Sequence, residues 1–146
     1  MRSFVCNVLH FCVIIDLFSR KVIGYRVSQK CCTQLVSATF RKAFQDRGNP
    51  SDLTFHSDRG SKYISGSFCA LLRKCKVKQS FSKSGCPHDN AVVEAFFLTF
   101  KREEAYRHEY FSEAAFRKSV DAYVDFYNHV RPHQSSNLGI QDSGEI

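Results

Sequence analysis

Val8-Leu9-His10-Phe11-Cys12-Val13-Ile14-Ile15-Asp16-Leu17-Phe18-Ser19-Arg20-Lys21-Val22-Ile23-Gly24-Tyr25-Arg26-Val27 is the stretch from which the fold is read. Residues 8–15 are almost continuously apolar, the pattern of a strand covered on both faces. Asp16 to Arg20 supply polar turn chemistry. From Lys21 to Val27, Ile23, Tyr25 and Val27 alternate with Val22, Gly24 and Arg26, which predicts a second strand. The short connection makes the pair an antiparallel hairpin. The apolar run is not a signal sequence: it contains His10, runs into Asp16 and lacks a small-residue cleavage site. It is also far too short to span a bilayer.

Beyond the hairpin, helices and strands alternate. Thr33 is expected to cap a helix that carries Val36, Phe40, Ala43 and Phe44 on one face. Gly48-Asn49-Pro50 stops it. Leu53-Thr54-Phe55 predicts a short strand ending at His56, followed by one helix with Ile64, Phe68, Leu71 and Cys75 at helical spacing. Val77 to Phe81 predicts another strand, and Ser82 to Pro87 a polar loop. A helix over about Asp89–Arg107 turns Val93, Phe96 and Phe100 inward and carries Asn90, Glu94 and Lys101 on a second stripe. Ser112 caps a last helix with Phe111 and Phe116 as a hydrophobic staple. Its inner stripe is Phe116, Val120, Tyr123 and Tyr127, and Pro132 closes it. Strands separated by single helices pair in parallel through right-handed crossovers. The expectation is a mixed α/β sheet flanked by helices, with residues 1–132 as the core and 133–146 as a polar tail.

Composition bounds the function. The 146 residues suffice for one domain with a real core. Hydrophobic residues make up 43% of the chain and Phe alone contributes 14, which excludes a disordered polymer. A net charge of +7 favours a polyanionic partner. The seven cysteines show no CxxC and lie mostly in apolar segments, a pattern that fits a reducing cytoplasm. Cys86-Pro87-His88 has no matching ligand pair after it, so zinc is not expected.

Two acids stand at punctuated positions. Asp58 lies in His56-Ser57-Asp58-Arg59-Gly60-Ser61, just past the end of a predicted strand, where sites of open α/β sheets collect. Gly60 allows close approach, and Arg59 is a candidate phosphate contact. On local chemistry alone, Ser57 or Asp58 could equally cap the following helix. Thirty-five residues separate Glu94 from Asp58, with Lys101 one heptad after Glu94 and Arg102 beside it. A carboxylate bordered by cations suits a divalent metal with a phosphodiester across it. The plainer alternative is an exposed acid paired with nearby bases.

Five motifs occur in order: Asp16-Leu17-Phe18-Ser19-Arg20-Lys21-Val22-Ile23-Gly24; His56 to Ser61; Ser82 to Ala91; Glu94-Ala95-Phe96-Phe97 with Phe100-Lys101-Arg102-Glu103; and Tyr127 to His133. In these motifs the chain strongly resembles the integrase-core region of bacterial insertion-sequence transposases, the DDE recombinases related to retroviral integrases. The resemblance covers about Phe11 to Gly139. It implies a ribonuclease H-like fold, with Asp58 and Glu94 as the second and third catalytic acids and as metal ligands. It implies Lys101, with Arg102, Arg59 and Asn90, as DNA-binding positions. The implied chemistry is Mg²⁺- or Mn²⁺-dependent cleavage and strand transfer at insertion-sequence ends. Two ions about 4 Å apart would serve it, in a homo-oligomer assembled on DNA and away from any membrane.

Departures from the pattern shape the expectation. The first catalytic aspartate of the family lies on a strand before the apolar run, and no acid precedes Asp16 here. The chain is therefore expected to be N-terminally truncated, with the first strand missing or atypical. Mg²⁺ is expected to be held weakly, and strand transfer by this chain alone to be impaired. After Gly139, Ile140-Gln141-Asp142-Ser143 replaces the usual Thr-Pro continuation, and Glu94-Ala95-Phe96 replaces the more usual Glu-Ser-Phe. The competing expectation is a non-catalytic DNA-binding or oligomerising remnant that uses Lys21, Lys62, Lys83, Lys101, Arg102 and Arg107 on phosphates. A ribonuclease H-like nuclease of another kind ranks behind both.

Overall fold

The structure, a computed structural model, describes residues 9–30, 32–82, 91–105, 110 and 112–130. The hairpin forms as expected. β1 (His10–Ile15) and β2 (Val22–Ser28) pair antiparallel, from His10 opposite Ser28 to Ile14 opposite Gly24, and a register shift then sets Ile15 opposite Val22. The alternation along β1 serves two cores. Phe11, Val13 and Ile15 face one apolar cluster, whereas Cys12 and Ile14 face another. That is why residues on both faces of this strand are apolar.

α1 (Thr33–Asp46) buries Val36, Phe40 and Ala43 and half-buries Phe44. Its cap differs from expectation: Cys32 holds the N-cap position in extended conformation without a side-chain bond, and Thr33 is already helical. The helix lies so close to β2 that a Cβ on Gly24 would sit 2.8 Å from the Ala43 Cβ. Gly48 and Asn49 follow its end at φ 73 and 53, the left-handed conformation common after a helix C-terminus.

β3 (Thr54–Ser57) and β4 (Lys78–Phe81) pair in parallel, Thr54 opposite Lys78 through Ser57 opposite Phe81. β3 runs further than the sequence suggested, through His56 to Ser57. Between the strands, the single expected helix is two: α2 (Ser61–Ile64) and α3 (Gly66–Lys74). Ser65 breaks them with ψ 146, its Oγ donating to the Lys62 carbonyl at 3.0 Å and accepting from the Phe68 amide at 3.4 Å. A serine hydroxyl that competes for backbone groups in this way ends one helix and caps the next. The helical phase is lost at the break, which leaves Ile64 54% exposed while Phe68 and Leu72 are buried.

α4 (Ala91–Phe100) sets Phe96, Thr99 and Phe100 inward, with Val93 packed at the margin. The expected α-helix does not continue to Arg107; Lys101–Ala105 form a π-helical turn. The wider turn carries two successive acids to the last helix, α5 (Glu113–His129). Glu103 Oε2 accepts from the Tyr123 hydroxyl at 3.2 Å, and Glu104 Oε1 accepts from the Ser119 hydroxyl. Ser112 caps α5 as predicted, its Oγ accepting from the Ala115 amide at 3.1 Å, and Phe116, Val120, Tyr123 and Tyr127 are buried with Val124. Val8, the loop after Ser82, Asp89, Asn90, Arg107, Phe111, Pro132 and the 133–146 tail fall outside the described residues.

The layering follows from these faces. One cluster joins β1 and β2 to α4 and α5, and the other joins Ile14 of β1 to α1, α3 and Phe55 of β3. The α/β class is as expected, but in place of one mixed sheet the described strands form two two-stranded sheets, the antiparallel β1–β2 and the parallel β3–β4, with no strand bonded to both. Ile14 of β1 and Phe55 of β3 belong to one core with Val36, Phe40 and Ala43 of α1, and Phe55 meets the Phe40 ring at 5.8 Å.

Candidate active site

Asp58 follows β3 directly. Phe55 and Ser57 point inward, so His56 and Asp58 share the opposite face by strand alternation, and Asp58 is exposed. Its Oδ1 accepts the Gly60 amide at 2.8 Å. Gly60 has an ordinary φ of −57, so no left-handed backbone requires glycine there. A Cβ there would come within 2.9 Å of Asp58 Oδ1 and would displace that flexible carboxylate rather than the backbone. Ser57 is buried and its hydroxyl donates to the Asp58 carbonyl at 2.8 Å. Arg59 is exposed and leans its guanidinium over the Phe81 ring, 5.8 Å from the centroid. Gly60 takes the N-cap position of α2 with no side-chain cap bond, so neither Ser57 nor Asp58 caps that helix.

Glu94 is placed by helical phase. It precedes the buried Phe96 by two residues, about 200° round the helix, and so points away from the core. Ala91, Ala95 and Leu98 are exposed with it, and Lys101 and Arg102 follow, both exposed. No described residue pairs with Glu94. Arg59 adjoins Asp58 in sequence, and Lys101 and Arg102 begin the π-helical turn that follows the helix of Glu94; Asn90 lies outside the described residues.

Metal chemistry can be tested against this geometry. Hard divalent cations take carboxylate oxygens and keep several waters. Asp58 retains an oxygen beyond the one held by Gly60, and Glu94 is exposed, so both are suitable ligands in type. No group of three or more His, Cys, Asp and Glu side chains able to hold a metal occurs among the described residues. Asp16 is not such a ligand. It is 4% exposed, and its carboxylate accepts from the Phe18 amide at 3.1 Å and the Ser19 hydroxyl at 3.0 Å, with Arg47 at 3.4 Å. It holds the hairpin turn. A groove of about 640 Å³ between the ends of α1 and α3 contains none of the expected site residues.

Two residues carry more of this architecture than the sequence suggested. Asn128 of α5 brackets Val22, accepting its amide at 2.8 Å and donating to its carbonyl at 2.9 Å, and so ties the last helix to the start of β2. His56 bridges two serines of the neighbouring chain segment: Nδ1 lies 3.0 Å from Ser80 Oγ and Nε2 lies 3.0 Å from Ser82 Oγ. Both residues stand inside motifs quoted above. Their partners, about a hundred and about twenty-five positions away, could not be paired from local spacing.

Known proteins agree with this architecture. Two family models, both described as integrase core domain, match residues 3–87 and residues 75–138. The transposase InsF for insertion sequence IS3A of Escherichia coli (strain K12) is 36% identical over 126 residues, which cover 86% of this chain and 44% of that protein. This chain therefore spans less than half the length of that relative. Among solved structures, a chain from the simian T-cell lymphotropic virus intasome in complex with PP2A regulatory subunit B56 gamma superposes with a TM-score of 0.67 at 16% identity, covering 86% of this chain and 44% of that one. The catalytic core domain of BIV integrase superposes at 0.60 with 20% identity, covering 86% and 78%. At such identities the superpositions speak for the fold, which is the ribonuclease H-like one. By sequence and by fold together, the chain belongs to the integrase core domain family.

Proposed function

We propose that this chain is the catalytic-core portion of a DNA transposase, acting on insertion-sequence ends and target DNA. The observation that carries the reading is the exposure of Asp58 and Glu94 on rigid elements of an integrase core: one at a strand end, the other on the outer face of a core helix. Asp58 and Glu94 are the catalytic acids and the ligands for Mg²⁺ or Mn²⁺. When bound, the metal supplies Lewis-acid activation for phosphodiester chemistry. Lys101 and Arg102 take the DNA backbone beside Glu94, Arg59 takes a phosphate beside Asp58, and Asn90 is a further DNA-binding position. The core extends to about residue 132, and the remaining polar residues form a tail. The working unit is a homo-oligomer on DNA in the cytoplasm. Two carboxylates hold a hard cation poorly without oxygens from DNA, so this stretch by itself is expected to bind DNA ends but to transfer strands weakly.

Fluorescence anisotropy with end-sequence duplexes tests the reading. Affinity should fall steeply with salt, and Lys101→Ala and Arg102→Ala should each reduce the slope of log affinity against log salt by about 0.9. Mn²⁺ should tighten binding in the parent chain, but not in Asp58→Asn or Glu94→Gln. Robust strand transfer by this stretch alone, lost on Glu94→Ala, would show that two acids suffice. The net charge of +7 favours one second reading, a non-catalytic DNA-binding remnant. Steep salt dependence that ignores both Mn²⁺ and EDTA would select it.

A further inference from the structure

The end of β4 grips the turn that carries Asp58 at three successive residues. Ser80 and Ser82 take the two ring nitrogens of His56, each at 3.0 Å. The Phe81 ring lies under the Arg59 guanidinium. The Ser82 amide donates to the Ser57 carbonyl at 2.9 Å, extending the ladder one step past the strand. Asp58 sits between these held residues, and its Oδ1 is taken by Gly60.

A strand end normally frays, because its last groups lack ladder partners. His56 counters this where alternation puts it on the face of Asp58. A neutral imidazole offers one donor and one acceptor, and a serine hydroxyl can serve as either. Both nitrogens are therefore satisfied in either tautomer, and the half-buried ring is held at two points. One bond would leave it free to pivot. Two bonds to residues on either side of Phe81 fix its plane and, through it, the backbone that leads to Asp58. Side-chain networks of this kind rigidify when every member is satisfied.

We propose that His56 is a positioning residue: by bridging Ser80 and Ser82 it locks the end of β3, so that Asp58 keeps the rotamer in which Gly60 holds Oδ1 and the second oxygen is left for a metal. The last step rests on the proposed role of Asp58 as a ligand; the locking itself does not.

The test uses ¹⁵N-labelled full chain as the parent and as His56→Phe, His56→Gln, Ser82→Ala and Asp58→Ala. The Gly60 amide resonance reports the Asp58 bond, and Mn²⁺-induced broadening at residues 57–60 reports metal. His56→Phe keeps ring volume and loses both bonds. It should move the Gly60 amide most of the way to its position in Asp58→Ala, speed its hydrogen exchange at least tenfold, and reduce the broadening. His56→Gln, whose amide oxygen and nitrogen can meet two hydroxyls, should restore part of each. A folded His56→Phe whose Gly60 amide and broadening match the parent overturns the proposal, even if its melting temperature falls, since a merely structural histidine would do that. Should His56→Phe not fold, Ser82→Ala decides: a smaller shift of Gly60 in the same direction supports the lock, and no shift overturns it. If the parent shows no broadening while Gly60 still responds to His56→Phe, the lock stands and the metal reading of Asp58 falls.

Discussion

Asp58 rides on a turn whose neighbours are gripped one by one through directional bonds: His56 by two hydroxyls, Ser57 by an amide, and Asp58 itself by Gly60. Glu94 rides on a helix seated by aromatic contact, with Phe96 4.9 Å from Tyr127 and Phe100 5.1 Å from Phe11, centroid to centroid. The two acids of one expected site are thus positioned by different physics. Hydrogen bonds at a strand end set a rotamer and carry little of the global stability, whereas ring packing sets a helix and carries much of it. Damage to the first should be local and damage to the second global.

The largest expected effect lies on the Glu94 side. Phe96 is 1% exposed and its ring also meets Phe11, Phe97, Phe100 and Tyr123. Phe96→Ala should destabilise the chain by about 3–5 kcal/mol, measured by urea unfolding. A loss below about 1 kcal/mol would mean that packing does not seat this helix. On the Asp58 side, Gly60→Ala should do the reverse. The backbone at Gly60 suits alanine, so stability should change by no more than about 0.5 kcal/mol. Yet the new Cβ would crowd Asp58 Oδ1 at 2.9 Å, and the Mn²⁺ response at the turn should vanish. Parallel losses of stability and metal response in both variants would erase the distinction.

The smallest effect probes the polar tie within the apolar half. Tyr25 donates to Asp121 Oδ1 at 2.7 Å across β2 and α5. Burial first, then the bond and charge of Asp121 with help from Asp125, push its hydroxyl from the ordinary 10.0 up to about 12. The folded chain therefore keeps this proton while the unfolded chain releases it. The contribution to stability is intact below pH 10 and is lost as pH rises from about 10 to 12. The phenolate absorbance lost on Tyr25→Phe should show a midpoint of about 12, and Asp121→Asn should lower that midpoint without normalising it, because burial persists. A Tyr25 midpoint near 10 would show that this tie does not hold β2 to α5.

Much of this architecture is legible in the amino-acid sequence. The hairpin, the inner stripes of α1, α4 and α5, the Ser112 cap and the parallel β3–β4 pair all follow from patterns within a few residues, where periodicity reports which side is buried. Three local expectations fail, for different reasons. Cys32 takes the cap position from Thr33 with no side-chain bond, and Ser65 splits a helix by competing for backbone groups three residues away; Glu103 and Glu104, on the π turn, find Tyr123 and Ser119 through tertiary contact that spacing does not encode. Asp58, Arg59, Glu94, Lys101 and Arg102 are singled out by motif, and the structure finds all five exposed.

What the chain determined by itself was the identity and phase of its elements, because a strand repeats every two residues and a helix every 3.6, whatever surrounds them. Tertiary structure decided how the chemistry is held. Asn128 reached Val22, and His56 reached Ser80 and Ser82, only once distant segments had been packed side by side. A hydrogen bond depends on the distance and angle between two particular atoms, and those are properties of the folded arrangement rather than of either residue.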